Sequence, residues 1–374
     1  MRVGVIGAGQ LARMLAQAAS PLGIALTSFD PAADACAGSL APLTVGAFED
    51  LDALAAFAAR CDVVTFDFEN ASAQALARLA EVRPVRPNPK ALAVAQDRAL
   101  EKALFRSLGM PVAPWWPVED AATLAAAAKQ GRFPAILKTA RLGYDGKGQV
   151  RVAAADALPA AWESLGNVRC VLEQRVAFSR ELSLVAVAGI DGAFEAYPLV
   201  ENVHVNGILS ATLAPAGVDA AVAAAALDCA RRLAATLEYI GVFAIEFFEL
   251  DGRLLANEMA PRVHNSGHWS IEGAECSQFE NHLRAICGLP LGSTAPRGVS
   301  CMLNLVGELP DRSQALAVPG LHWHDYGKAP RAGRKIGHMT ITAPDGATLA
   351  ARLSEAGERL ERREQVAPVL AALG

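Results

Sequence analysis

Short apolar runs and stretches of helical period alternate along the first hundred residues. Val3-Gly4-Val5-Ile6 reads as a buried strand, Gly7-Ala8-Gly9-Gln10-Leu11-Ala12 turns into a helix running to about Ala19, and Ile24–Phe29 is a second strand ending at Asp30. The pattern then predicts a helix over Leu51–Arg60, a strand over Asp62–Phe66, a helix over Ala71–Leu79 and a short strand over Val82–Arg86. Strands separated by helices in this way make an open α/β sheet. The run Arg83-Pro84-Val85-Arg86-Pro87-Asn88-Pro89 breaks the pattern and closes the unit.

Beyond it, α+β elements take over. Asp97–Leu108 is an amphipathic helix stopped by Gly109, and a helix over Asp120–Gln130 leads into an apolar strand that carries Lys138. Gln149–Val152 is the next strand, followed by a helix over Asp156–Ser164 and a strand over Val168–Gln174. Glu181–Ala188 alternates as a strand, Phe194–Val200 is its expected partner, Asn206-Gly207 is a turn and Gly217–Leu237 is one long helix. A hairpin follows, Val242–Leu250 and Leu254–Met259, with Asp251-Gly252-Arg253 as a three-residue loop. Strand Lys335–Thr342 and helix Ala347–Leu353 close a small C-terminal unit.

Composition narrows the class. The chain has 374 residues, 52% of them apolar and 20% charged, which is a globular protein long enough for two or three domains. A net charge of -5 argues against nucleic-acid binding through a broad basic surface. No apolar run has the length of a membrane span, and the N-terminus lacks signal-peptide architecture. Seven cysteines are scattered singly without a CxxC pair, as expected of reduced thiols in the cytoplasm.

The chemistry concentrates at strand ends. In AILKTARLGYDGKGQ, Ala135–Gln149, a lysine strand enters a loop with Gly143, Gly146 and Gly148; such a loop cradles phosphate or is a hairpin tip. Gly7-Ala8-Gly9-Gln10-Leu11-Ala12 has the GxGxxA spacing of a dinucleotide turn, with Asp30 as its acid; the alternative is a plain βαβ turn. The strand ending at Phe66 delivers Asp67, Glu69 and Asn70, and the Val168–Gln174 strand delivers Glu173. Glu246 and Glu258 interrupt apolar strands, and acids so placed call for a cation. With a three-residue loop they lie opposite each other on one face, whereas a two-residue turn would flip one of them. Oxygen ligands with Asn257 alongside suit magnesium better than zinc. His264 and His268 have the spacing of a helical metal pair, but Asn265, Ser266 and Gly267 oppose a helix, so a polar loop lining a site fits better. His322 and His324 are expected on a core-facing side of a strand. Lys328, Arg331, Arg334 and Lys335, in a Gly/Pro loop, are either a phosphate clamp or a solvated hairpin.

Several runs in order carry a resemblance. They are Gly7-Ala8-Gly9-Gln10-Leu11, Phe68-Glu69-Asn70, Gly143-Tyr144-Asp145-Gly146-Lys147-Gly148-Gln149, Glu173-Gln174, the stretch from Asn257-Glu258-Met259-Ala260-Pro261-Arg262 to His264-Asn265-Ser266-Gly267-His268-Trp269, and Gly333-Arg334-Lys335-Ile336-Gly337-His338. Over essentially its whole length the chain resembles the ATP-grasp enzymes, and among them the carboxyaminoimidazole ribonucleotide synthetases. The resemblance implies an ATP-grasp fold with a Rossmann-like N-terminal domain over 1–96, an ATP-grasp domain over 97–290 with a lid over about 112–176, and a C-terminal domain over 291–374. It implies carboxylation of the exocyclic amine of aminoimidazole ribonucleotide by bicarbonate, driven by ATP, in a cytoplasmic homodimer.

The resemblance also assigns residues. Arg98, Lys138, Glu173, Gln174, Arg175, Val176, Glu181, His204, Asn257 and Glu258 would hold ATP; Gly143–Gln149 would cover its phosphates; and Glu246 and Glu258 would bind magnesium. Gln10, Leu11, Glu69, Tyr144, Asp145, Lys147, His264, Asn265, Lys328, Arg334 and Lys335 would hold the acceptor nucleotide, with Asp145, Lys138 and Asn265 catalytic. Asp67 stands where the family usually has glutamate. Two other enzyme classes share parts of this pattern, a formate-dependent glycinamide ribonucleotide transformylase and an NAD-dependent oxidoreductase; a non-enzymatic ATP sensor would have no need of Asp145, Asn265 or the Arg334-Lys335 pair.

Overall fold

The computed structural model describes residues 1–143 and 148–374. Its first unit is a four-stranded sheet of β1 (Arg2–Ile6), β2 (Ala25–Asp30), β3 (Leu43–Val45) and β4 (Val63–Phe66), in the order β3-β2-β1-β4 and parallel throughout. Helices α1 (Gln10–Ala19), α2 (Leu51–Ala58) and α3 (Ala73–Ala80) complete it. The strand expected over Val82–Arg86 is reduced to one bridge, Val64 to Val85, because Pro84 and Pro87 lack the N–H groups a ladder needs. The proline run also starts a helix that the sequence reading treats as a break. In α4 (Pro89–Ala95), Asn88 caps the N-terminus and Pro89 sits in the first turn, where a missing N–H costs nothing.

Helix α5 (Arg98–Ser107) follows at once, capped by the Asp97 carboxylate. A second, antiparallel sheet, β5-β8-β6-β7, contains β5 (Trp115–Val118), β6 (Ala135–Thr139), β7 (Gln149–Val152) and β8 (Cys170–Gln174). It is backed by α6 (Ala121–Gln130) and α7 (Leu158–Ser164), which share its apolar core.

The third sheet is the largest. It contains β9 (Arg180–Ala188), β10 (Phe194–Ala196), β11 (Val200–Val205), β12 (Ile208–Ala214), β13 (Gly241–Leu250), β14 (Arg253–Ala260), β15 (Val299–Val306), β16 (Leu321–Asp325) and β17 (Lys335–Ala343). The order is β14-β13-β9-β11-β12-β15-β17-β16, with β10 also on β9, so the strands of the middle and C-terminal parts form one continuous sheet. Phe194–Val200 is two strands and not one, since Pro198 interrupts the ladder between β10 and β11. One face packs on α4, α5 and α8 (Ala220–Thr236) through Leu182, Leu184, Phe243, Ile245 and Phe247. The opposite face, with Val185, Val187, Val242 and Ala244, packs on α1 and on the segment holding α9 (Ser270–Gly273) and α10 (Gln278–Cys287). At the C-terminal end, α11 (Arg312–Leu316), α12 (Gly346–Arg359) and α13 (Arg363–Leu373) close a third core.

The β16 histidines do not face that core. Leu321 and Trp323 do; His322 is exposed, and His324 lies on the other face, stacked on His338 at 4.2 Å with its Nε2 2.7 Å from Glu272.

Candidate active site

The β13–β14 hairpin closes on a two-residue turn, Asp251-Gly252, with φ of 50° and 72°, so Leu250 pairs with Arg253 and not with Leu254. On that register alone, Glu246 and Glu258 would fall on opposite faces. They do not, because β14 bulges at Asn257: Phe247 pairs with Ala256, and then Glu246 pairs with Glu258. The bulge also shifts the apolar phase of β14, so that Leu254, Ala256 and Met259 share one core while Glu258 and Ala260 turn to the other face. The expected pair is therefore present, through a bulge and not through the three-residue loop.

The two carboxylates differ. Burial, followed by the charge of Glu258, pushes Glu246 up to about 8. Burial acts on Glu258 too, but the Arg98 guanidinium, with Nη1 2.9 Å from Oε2, outweighs it and holds that carboxyl below its ordinary range. Beside the pair, Ser183 faces Glu246 across the ladder and belongs to a buried hydrogen-bond row with Asn202 and Thr212. Glu181 and His204 lie 3.0 Å apart on β9 and β11, and the Glu181 carboxylate raises the imidazole pKa against the opposing effect of burial.

Helix α5 places a second set of groups at i, i+3, i+4 and i+7. Arg98 reaches Glu258 and the Gly143 carbonyl (3.5 Å); Glu101 accepts the Met259 N–H (2.6 Å); Lys102 lies 2.7 Å from Glu173; and Phe105 anchors the face in the core. Burial pushes Glu101 up to about 8. Lys138, on β6, lies 2.9 Å from the other oxygen of Glu173, so this carboxylate has an ammonium on each side. Burial works against its ionisation, but Lys138 and Lys102 outweigh it and pull Glu173 down to about 2. Beyond Glu173, the Gln174 and Arg175 N–H groups donate to Pro114 and Pro134, and half-buried Val176 continues toward β9. Gly148 turns at φ +70°, and Gln149 pairs with Lys138. Tyr144, Asp145, Gly146 and Lys147 lie outside the described residues.

After β14, the chain runs through Arg262, whose Nη2 is 2.8 Å from Glu69 of the first unit, to His264, whose Nε2 is 3.5 Å from Glu246. Burial and Arg262 drive His264 well below its ordinary pKa, so a neutral imidazole faces Glu246. Asn265 opens a 3-10 turn, and both of its amide atoms are buried without a hydrogen-bond partner among the described residues, as is Asn257 Oδ1. Such groups carry a desolvation cost unless a ligand or water meets them.

The Gly7-Ala8-Gly9 turn carries no comparable openness. The Ala8 N–H donates to Asp30 Oδ2 (2.9 Å) and the Gly9 N–H to Asp67 Oδ2 (2.6 Å), so internal carboxylates occupy the amides that a dinucleotide pyrophosphate would need. Gln10 Oε1 accepts from Lys328 Nζ across the first and last units, and Leu11 has its side chain in the core. Arg334 folds back on the Ala329 carbonyl (3.3 Å), and Lys335 begins β17, half-buried. Lys102, Glu101 and Arg262 are the groups that the sequence reading misses. The available signal was Phe105, which puts Lys102, three residues before it, on the buried side of α5.

A lysine-bearing antiparallel sheet and a carboxylate-bearing sheet, joined by a helix that contributes cations to both, define an ATP-grasp ligase. Residues 103–279 match the ATP-grasp domain, 1–96 the ribonucleotide synthetase preATP-grasp domain and 300–352 the phosphoribosylaminoimidazole carboxylase C-terminal domain. The chain is 50% identical over 361 residues to the N5-carboxyaminoimidazole ribonucleotide synthase of Pseudomonas aeruginosa, covering 96% of this chain and 100% of that one. The synthetase structure from Thermus thermophilus superposes with a TM-score of 0.92 at 48% identity, over 96% of this chain and 98% of that one. An Aspergillus clavatus enzyme solved with ADP and 5-aminoimidazole ribonucleotide gives 0.88 at 33%, over 96% and 99%. The chain belongs to the N5-carboxyaminoimidazole ribonucleotide synthase family.

Proposed function

We propose that the protein uses ATP and bicarbonate to carboxylate the exocyclic amine of 5-aminoimidazole ribonucleotide, giving N5-carboxyaminoimidazole ribonucleotide, ADP and phosphate in purine biosynthesis. The carrying observation is the Glu246–Glu258 pair, set face to face by the bulge, with Arg98 bridging one carboxylate to Gly143 at the start of the glycine loop. A bicarbonate oxygen attacks the γ-phosphorus and ADP leaves. The resulting carboxyphosphate breaks its C–O bond to phosphate, giving CO2; the amine nitrogen takes the carbon and loses a proton. Bicarbonate is a poor electrophile and carboxyphosphate is short-lived, so the site must stabilise phosphoryl charge and exclude water.

The chain's own groups fit those tasks. Lys138 and Arg98 face the phosphates, with Gly143–Gln149 as the cover, and the segment Gln174–Val176 borders the adenine. Glu181 and His204 hold the nucleotide sugar. Glu69, Gln10, Leu11, Lys328, Arg334 and Lys335, with Tyr144 and Lys147, surround the acceptor nucleotide. Asp145 takes the amine proton, while His264 and Asn265, the latter with its unmatched buried amide, face the reacting carbon.

Magnesium fits Glu246, Glu258 and the unpartnered Asn257 oxygen, since hard cations take a few carboxylates plus phosphate oxygens. When bound, it neutralises charge on the transferring phosphate. The same family reading carries a cytoplasmic homodimer. Among the described residues no helix is long and apolar enough to cross a membrane, and the seven cysteines are unpaired.

The test is ADP release. Aminoimidazole ribonucleotide should stimulate it in the presence of bicarbonate and not in its absence; stimulation by formate with glycinamide ribonucleotide instead would transfer the chain to the transformylase reading.

A further inference from the structure

Lys102 has no place in the reaction as described above, yet it is one of the most deeply buried charges in the molecule, with its side chain 1% exposed. It approaches Glu173 Oε1 at 2.7 Å, while Lys138 approaches Oε2 at 2.9 Å with a side chain 10% exposed. Its Nζ also donates to the Asn257 carbonyl at the bulge (3.4 Å). Two ammonium groups thus share one carboxylate, and of the two Lys138 is the more exposed. A buried carboxylate with a single lysine would claim that lysine's charge for itself. With a second lysine behind it, the cluster keeps one positive charge in excess, at the end where a phosphate can reach it.

We propose that Lys102 is a positioning residue that neutralises Glu173 from behind, leaving the charge of Lys138 for the nucleotide phosphates. Because its carboxylate is engaged on both oxygens, the Glu173 side chain acts here as the spacer that fixes Lys138. The proposal rests on the reading that ATP phosphates lie against Lys138.

Calorimetric binding of ADP and of adenosine to the full chain tests it, with Lys138→Met as the reference variant. Lys102→Met should weaken ADP about tenfold while leaving adenosine unchanged, since only the phosphates meet the lost charge. Lys102→Met/Glu173→Gln should recover ADP binding to within about threefold of the wild type, because no buried carboxylate then competes for Lys138. Equal weakening of ADP and adenosine by Lys102→Met, or a double variant no better than the single one, overturns the proposal. Should the single variant fail to fold, Lys102→Gln takes its place in the same comparison: weaker ADP binding with unchanged adenosine supports the proposal, and equal or absent weakening overturns it. If Lys138→Met leaves ADP binding intact, the phosphate reading falls and this proposal with it; if Lys138→Met weakens ADP and Lys102→Met does not, only the role of Lys102 falls.

Discussion

The turn after β1 and the cluster around Lys138 both combine a strand end with groups of a kind that can meet phosphate, and they handle their charges in opposite ways. At the turn, the free amides of Ala8 and Gly9 are matched by the carboxylates of Asp30 and Asp67, and the Gly7 N–H by the Phe29 carbonyl. Every donor has an internal acceptor, so a pyrophosphate would have to displace two anions from a helix N-terminus. Around Lys138, the cations Arg98, Lys102 and Lys138 meet the ionised Glu173 and Glu258, while Glu101 and Glu246 have pKa values pushed up to about 8. One cation remains in excess. Glycine spacing marks where a phosphate can approach; the surrounding carboxylates decide whether it is welcome.

The comparison breaks most readily at Lys138. Lys138→Met should lower kcat/KM for ATP by about 100- to 1000-fold, the loss typical of removing a charge that meets a transferring phosphate. A loss under about threefold in steady-state ADP release would place the phosphates elsewhere.

The next effect is on stability at the other turn. Gly7 has φ +98°, and a Cβ there would lie 1.8 Å from Asp67 Oδ1, so Gly7→Ala meets both backbone strain and a carboxylate. Urea unfolding should show a loss of about 2–4 kcal/mol. An unchanged midpoint would mean that Asp67 is free to leave the turn.

The pH dependence sharpens the same contact. Burial, opposed by the Gly9 amide, pushes Asp67 up to about 6 from its ordinary 3.8. The folded chain therefore holds this proton over a range where the unfolded chain has lost it. The stabilisation this gives is complete at low pH and disappears as pH rises from near 3.8 to about 6. Asp67→Asn removes the term, so the stability of the wild type relative to the variant should be about 2–3 kcal/mol greater at acidic than at neutral pH. A difference that does not move with pH, followed by denaturant titration, would remove Asp67 from the account. Asp30→Asn is the mildest change: an amide oxygen can still accept from Ala8, and the cost should be about 1 kcal/mol by the same assay.

Much of this was legible in advance because it is local. Asp97 and Asp120 announce helix starts through their position before apolar-periodic stretches, and in the fold both cap the helices that begin one residue later. The alternation of strands and helices gives the first unit, and Glu246 and Glu258 stand out as acids in apolar strands. What was not legible depends on distant pairing. The sequence reading put the two carboxylates on one face through a three-residue loop; the two-residue turn that forms instead would set them on opposite faces, and only the bulge reverses that outcome. The spacing to Phe105 marks the buried side of α5 for Lys102, but the partners of Lys102 and Glu101, Glu173 on β8 and the Met259 N–H on β14, come from distant strands that pack on the helix. The joining of β12 to β15, which carries the large sheet into the C-terminal strands, leaves no mark in either segment.

The bulge at Asn257 has a mechanical corollary. β14 is the outermost strand of its sheet, yet its outward backbone groups are held: the Ala256 N–H by the Pro111 carbonyl, the Asn257 carbonyl by Lys102 and the Met259 N–H by Glu101. The strand is clamped on both flanks at the point where its phase changes. The hairpin tip is thereby decoupled from the carboxylates, like a loose end beyond a knot. Lengthening or trimming the tip around Asp251-Gly252 would be absorbed before it reached Glu246 and Glu258, which makes that tip a tolerant place to graft a reporter onto the working enzyme.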